Sequence, residues 1–148
     1  CEYFDLCVLP RNAVVFDDGD VPDRMYVVVS GEVVLYKVDP AWHSLSRDER
    51  AAVRERDPSQ TFGPGREIMQ RARFGSMLGD LAFVLQQRRT FGAIVERRDA
   101  VLFSLSRARL SEMEASEPRL AVGLLKVVGR SLGMTLVNLQ AFHESFEA

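Results

Sequence analysis

The chain has 148 residues, with 19 Lys and Arg against 21 Asp and Glu and a net charge of −2. That length holds one domain with one real core, and the near balance of charge excludes a general basic field for nucleic acid or anionic lipid. With 47% apolar and 27% charged residues the composition is that of an ordinary globule, and no apolar run reads as long enough to span a bilayer.

The opening Cys1-Glu2-Tyr3-Phe4-Asp5 has neither the basic start and apolar block of a signal peptide nor an initiator methionine, so it reads as a segment of a longer protein. Cys1 and Cys7 are the only cysteines. They read as reduced thiols of a cytosolic domain, with a Cys1–Cys7 bridge as the alternative, and they make neither a zinc site nor a disulfide framework. Residues 8–16 read as strand broken by Pro10-Arg11-Asn12, and Asp17-Asp18-Gly19-Asp20 as a turn. The apolar run Met25 to Ser30 suits a strand buried on both faces. Ser30-Gly31 is expected to break it before Glu32 to Val38 resumes as a strand.

From Trp42 to Ser59 the composition turns to Arg, Asp and Glu. Ser46-Arg47-Asp48-Glu49 fits a capping box, in which Ser46 and Glu49 satisfy each other's backbone donors. Residues 42–59 are expected to form a solvated helical insertion or a partly disordered one, either a contact surface or a passive spacer. Glu67 to Arg73 returns to strand, and Phe74-Gly75 to turn. Ala93 to Val95 and Ala100 to Leu105 read as two more strands, separated by a polar turn over Glu96 to Asp99. Ser106 caps a helix running to Glu114. Pro118 opens another helix, whose stripe of Leu120, Leu124, Val128, Leu132, Leu136, Leu139 and Phe142 at spacings of three or four is strongly amphipathic. Gly123, Gly129 and Gly133 each cost that helix about 1 kcal/mol relative to alanine, which a close approach of another backbone or a local bend would explain.

Short strands with glycine corners predict a mainly β chain with flanking helices, an α+β arrangement. The expected form is an antiparallel β-roll or jelly roll over one domain, 1–148, with C-terminal helices over 107–146. Gly19, Gly31 and Gly75 read as strand corners, and Tyr26, Phe74 and Phe83 as core. The two histidines, His43 and His143, stand apart and read as surface residues. The long apolar helix offers a seam for a homodimer.

The chemistry gathers between Gly79 and Thr90. Gly79 lets the backbone approach a ligand. Leu81 and Ala82 open a short helical turn whose free amides can meet a phosphate. Asp80 can accept from sugar hydroxyls, or it can simply stabilise the start of the turn by about 0.3–1 kcal/mol. Arg89 offers a planar fork that fits two phosphate oxygens. Its neighbour Arg88 is the competitor for that role, and a solvated arginine pair is the plain alternative.

Leu78-Gly79-Asp80-Leu81-Ala82 followed by Arg88-Arg89-Thr90 resembles the phosphate-binding cassette of cyclic nucleotide-binding domains. Phe16-Asp17-Asp18-Gly19-Asp20 and the run Asp23 to Val33, with Tyr26 and Ser30-Gly31-Glu32-Val33, are similar to that family's upstream signature. The resemblance covers nearly the whole chain. It implies a regulatory sensor of cyclic AMP or cyclic GMP held by Gly79, Asp80, Leu81, Ala82, Arg88, Arg89 and Thr90, with the terminal helices closing over the ligand. Four features depart from the family pattern. Asp80 stands where Glu is usual, shortening its reach by about one carbon–carbon bond, ~1.5 Å. Arg88 replaces a proline, Gln86-Gln87 replaces Gly-rich loop residues, and Phe91-Gly92 replaces small residues and a hydroxyl. An inward-pointing Phe91 would fill the ligand space, leaving a degenerate domain used for assembly or autoregulation.

The opening five residues, the Val21 to Tyr26 run and Gly129 to Gln140 are also similar to the cytosolic tail of sulfate-permease-family anion transporters, which implies a larger membrane protein as parent. An enzyme is not expected, because the sequence offers no nucleophile–base pair, metal-ligand set or Walker-type loop. Nor is nucleic-acid binding expected, since the family's transcription regulators carry a helix-turn-helix after the last helix and none is read here.

Overall fold

The computed structural model describes residues 2–38, 41, 44–46, 48–49, 52 and 66–147, with side chains of the last helix described up to residue 138. Six strands form one sheet. They are β1 (Asp5–Leu9), β2 (Val14–Phe16), β3 (Arg24–Val38), β4 (Arg66–Ala72), β5 (Met77–Leu78) and β6 (Gly92–Ser106). Among the described residues three helices accompany them, α1 (Asp80–Leu85), α2 (Arg107–Ser116) and α3 (Pro118–Glu147).

The two 15-residue strands are the frame. β3 and β6 pair antiparallel from Arg24↔Ser106 to Tyr36↔Gly92. Each is edged by two short strands in succession. β6 takes β1 along its second half (Asp5↔Ser104 to Leu9↔Ala100) and β2 along its first (Phe16↔Ala93). β3 takes β5 along its first half (Tyr26↔Leu78) and β4 along its second (Val33↔Ala72 to Val38↔Arg66). One long ribbon edged by different partners at its two ends curls into the antiparallel roll that the short apolar runs predict.

The expected breaks inside β3 and β6 are not there. Each runs through as a single strand, and the irregularity is taken up in their register. Between Ser30↔Val101 and Glu32↔Glu96, residues 97–100 of β6 oppose Gly31 alone. Gly31 sits at φ +85°, and a Cβ there would lie 2.8 Å from Ala100 Cα and 2.8 Å from the Asp99 carbonyl oxygen. Arg97 answers on the other strand at φ +65°. A bulge bends both strands without ending them, which sequence pattern alone reads as a turn.

The roll interior holds Phe16, Val28, Val33, Ala72, Leu78, Val95 and Leu102. A second cluster ties the helices to the roll, with Tyr3, Met25, Phe83 and Leu105 meeting Leu110 and Met113 of α2 and Ala121 and Val128 of α3. α2 begins as read, with Ser106 Oγ accepting from the Arg109 amide at 3.2 Å, and it runs on to Ser116. α3 begins at Pro118, as read. Of its stripe, Val128 is buried and Leu124 and Leu132 pack against the cluster, whereas Leu120 and Leu136 are exposed. Leu139 and Phe142 lie outside the described side chains. Nothing lies within 4 Å of a Cβ built at Gly123, Gly129 or Gly133, so no close backbone approach explains them.

Two further expectations are corrected. Phe74 is 82% exposed rather than core, because its turn carries it off the sheet, whereas Phe83 is fully buried and Tyr26 partly buried. The segment Pro118–Asn138 is long and apolar enough, by length and composition, to cross a membrane. Its few charges are spaced widely enough that the sequence reading underrated the run. Cys7 is a free thiol, its Sγ 3.6 Å from Ser104 Oγ, while Cys1 lies outside the described residues. Most of the 42–59 stretch, including His43, also lies outside them, as does the His143 side chain. The capping box is present: Glu49 Oε2 accepts from the Ser46 amide at 2.7 Å and Ser46 Oγ from the Glu49 amide at 3.2 Å. Those bonds hold the Glu49 carboxyl below its ordinary value.

Candidate functional site

The segment from Gly79 to Thr90 runs from the end of β5, through α1, to the start of β6. Gly79 caps α1 in the left-handed region at φ 71°, and its carbonyl accepts from the Phe83 amide at 3.1 Å. By helix geometry the first-turn amides of Asp80, Leu81 and Ala82 have no acceptor within the helix. Asp80 sits half-buried at this end, its carboxylate without a protein partner among the described residues. Gln86 ends the helix at φ 55°, the conformation for which glycine is usually chosen, and the Gln87 amide donates back to Ala82 O at 3.2 Å.

Arg89 turns inward and is only 3% exposed. Its Nη1 donates to Gly79 O at 3.3 Å and its Nη2 to Arg24 O, while the guanidinium lies over the Phe16 ring, 4.0 Å from the centroid. Phe16 in turn stacks on Tyr26 at 6.1 Å. Arg89 Nε is buried with no hydrogen-bond partner among the described residues. The backbone fixes this pose, since the Arg89 amide donates to Asp20 O at 3.0 Å and the Gly19 amide donates to Arg89 O at 2.8 Å. Burial pulls the guanidinium below its usual value, opposed by Tyr26, Asp23 and Asp20. Burial likewise raises the Tyr26 phenol, opposed first by Arg89. A Cβ at Gly79 would fall 2.0 Å from Arg89 Nη1, so this close approach requires glycine.

The structure thus brings Gly79 and Arg89 into contact and places Asp80, Leu81 and Ala82 beside them on α1. It does not bring in Arg88, which is exposed and donates to Gly19 O at 2.8 Å, or Thr90, which is exposed. Phe91 is 37% exposed and does not plug the roll; the ring stacked on the guanidinium is that of Phe16. Gly92 has its own reason. A Cβ there would lie 2.1 Å from Cζ of Tyr36, whose hydroxyl donates to Asp17 Oδ1 at 3.0 Å.

Sequence reasoning missed the Arg24 carbonyl, the Phe16 face and Arg107. The Arg107 guanidinium donates to Phe83 O and lies 4.5 Å from the Phe83 ring, joining α1 to α2. Phe16 stands in the upstream motif, which does not mark a ring beneath the guanidinium, and a main-chain acceptor leaves no residue-type signal.

A singly buried cation held by carbonyls and a π face, with free amides and a carboxylate beside it, is suited to an anion bearing hydroxyls, and the described residues hold no cluster of three metal-ligating side chains. The family model of the cyclic nucleotide-binding domain matches residues 6–117, so the chain belongs to that family, whose domains are regulatory. Similar solved structures include a cyclic nucleotide-binding domain from Methylobacillus flagellatus (19% identity, 99% of this chain and 66% of that one, TM-score 0.70). They also include the c-di-GMP-responsive global regulator CLP of Xanthomonas campestris (18%, 95% and 57%, 0.68) and the catabolite activator protein of Thermus thermophilus (19%, 96% and 56%, 0.65). At these identities the likeness shows the fold. The chain spans little more than half the length of the last two proteins. No curated protein matches it.

Proposed function

We propose that the chain is one domain, 1–148, that senses a cyclic mononucleotide, cyclic AMP or cyclic GMP, through the Gly79–Thr90 cassette. The observation that carries this reading is Arg89, a buried guanidinium with an unpartnered Nε and no carboxylate bonded to it. A phosphodiester would supply the missing counter-charge, replacing neutral carbonyl acceptors with anionic oxygens in bonds of about 1.5–3 kcal/mol each. The amides of Leu81 and Ala82 would add donors, and Asp80 would accept from a ribose hydroxyl. Arg88 and Thr90 would join only on a rearrangement of the loop. Displacing Arg89 from Gly79 O would disturb α1, and Phe83 with Arg107 would carry that change to α2 and α3.

Isothermal titration with cyclic AMP and cyclic GMP tests this. Saturable binding that Arg89→Gln abolishes is the expected result; no heat from either nucleotide up to about 1 mM would end the reading.

A degenerate, non-binding domain is the second reading, favoured by the two carbonyls and the Phe16 face that already hold Arg89. In either case the domain would serve a larger parent, with a sulfate-type anion transporter as the candidate, on its cytoplasmic side. The exposed apolar side chains Val122, Leu125, Met134, Leu136 and Val137 of α3 would be covered by that parent or by a second copy of the chain.

A further inference from the structure

A concavity of about 540 Å³ lies away from the cassette, lined by Val29, Ser30, Gly31, Glu32, Arg73, Phe74, Arg97 and Arg98, and it shares no residue with Gly79–Thr90. The bulge that bends β3 and β6 creates it. Residues 97–100 loop out opposite Gly31, while the Phe74-Gly75 turn leaves the neighbouring edge.

Glu32 forms the floor and is 8% exposed. Its Oε2 accepts from Arg73 Nε at 2.7 Å, and its Oε1 lies 3.8 Å from Arg97 Nε and 3.5 Å from Arg71 Nε, with no hydrogen bond. Arg73 and Arg97 therefore face the carboxylate through Nε. Their side chains are 70% and 69% exposed. The Arg73 bond holds the Glu32 carboxyl below its ordinary value, so it remains ionised. Three lining guanidiniums against one lining carboxylate leave two positive charges; Arg71 and Glu96 at the rim bond each other and cancel.

We propose that this cleft is a second ligand site, distinct from the cassette, that takes a phosphorylated nucleoside with a doubly charged phosphate group. The phosphate would bridge Arg97 and Arg98, whose planar forks suit paired oxygens. As Arg97 turns to the phosphate, a nucleoside hydroxyl or amino group would donate to the buried Glu32 Oε1, which an ionised acidic side chain cannot do. The base would lie on Phe74, whose ring is otherwise exposed at the rim. The volume falls in the range of small-molecule sites, about 300–1,000 Å³. Arg97 is held at positive φ with its side chain over the cleft, a placement more often found where a side chain is being aimed.

Titration of ADP into the wild-type chain and four variants is the test, with pyrophosphate and a hexaglutamate peptide as competing probes. Saturable ADP binding is expected, weakened about tenfold or more by Arg97→Gln with Arg98→Gln, and by Arg73→Gln alone about threefold. Phe74→Ala should weaken ADP while leaving pyrophosphate unchanged, and Arg89→Gln should leave ADP binding intact. The proposal is overturned by absence of saturable ADP binding up to about 1 mM. It is equally overturned by binding that survives the double arginine substitution, by loss of ADP binding in Arg89→Gln, or by tighter binding of the peptide than of ADP.

Discussion

Arg89 and Arg73 show two ways of keeping a guanidinium on this fold. Arg73 is 70% exposed and bonded to a carboxylate, so its charge is already answered and water covers the rest of it. Arg89 is 3% exposed and bonded to two carbonyls, so its charge is not answered by any bonded anion. A surface ion pair of the first kind contributes about 0–1 kcal/mol and is complete without a ligand. A buried cation of the second kind costs stability unless something repays its desolvation, and neutral acceptors with a cation–π contact of about 0.5–2 kcal/mol repay only part. The contrast teaches that the buried arginine is the one poised for an incoming anion.

The largest effect should come from the scaffold that both arginines share. Gly31→Ala places a Cβ 2.8 Å from rigid backbone of Ala100 and Asp99, and it should lower unfolding free energy by about 3 kcal/mol or more in urea denaturation. A loss under about 1 kcal/mol would mean that the bulge is soft and the two arginines are not separately placed by it.

Next comes Arg89→Gln, which should weaken cyclic nucleotide binding about 100-fold, near 2.7 kcal/mol, in titration calorimetry. Its melting temperature should move by only a few degrees, about 2–4 °C, because removing an unpaired buried charge offsets the two carbonyl bonds lost. Equal losses of binding in Arg88→Gln would break the comparison by making the exposed arginine the ligand.

A smaller change follows at Gly79. Alanine there must hold φ 71° beside Arg89 Nη1. The clash is with the far end of a flexible side chain, so the stability loss should stay near the left-handed penalty of about 1–2 kcal/mol in thermal denaturation.

The paired side of the comparison has its own signature. Because Arg73 lowers the Glu32 carboxyl in the folded state, that contribution to stability is full above the ordinary carboxylate range and fades as pH falls through the lowered value. Stability measured from pH 6 down to about pH 3 should therefore drop less steeply in Glu32→Gln than in the wild type. Phe74→Ser should be the mildest, within about 0.5 kcal/mol, since an 82% exposed ring supports no core; a loss beyond that, read by urea denaturation, would place the ring in the fold rather than at the cleft rim.

The fold was legible where residue type and period coincide with structure. The Ser106 cap, the Pro118 start, the Ser46–Glu49 box and the glycine turns at Gly19 and Gly75 were each readable from local chemistry. The continuity of β3 and β6 was not, because a bulge and a turn share the same polar, glycine-bearing residues. At the candidate site the Gly79–Arg89 pairing was legible from the cassette pattern. Its actual partners, the Arg24 and Gly79 carbonyls, were not, since main-chain acceptors carry no sequence mark. Phe91 and Gly92 looked like defects beside the arginine; one faces outward and the other makes room for Tyr36, which depends on cross-strand register that a single sequence does not print.

The most direct measurement is the ¹⁵N–¹H resonance of the Arg89 side-chain Nε–H group, assigned by its loss in Arg89→Gln, followed during addition of cyclic AMP and cyclic GMP. The account predicts a marked downfield shift that saturates with one of them as the unpartnered donor gains a phosphate oxygen. A resonance that stays in place with both nucleotides at millimolar concentration would contradict it.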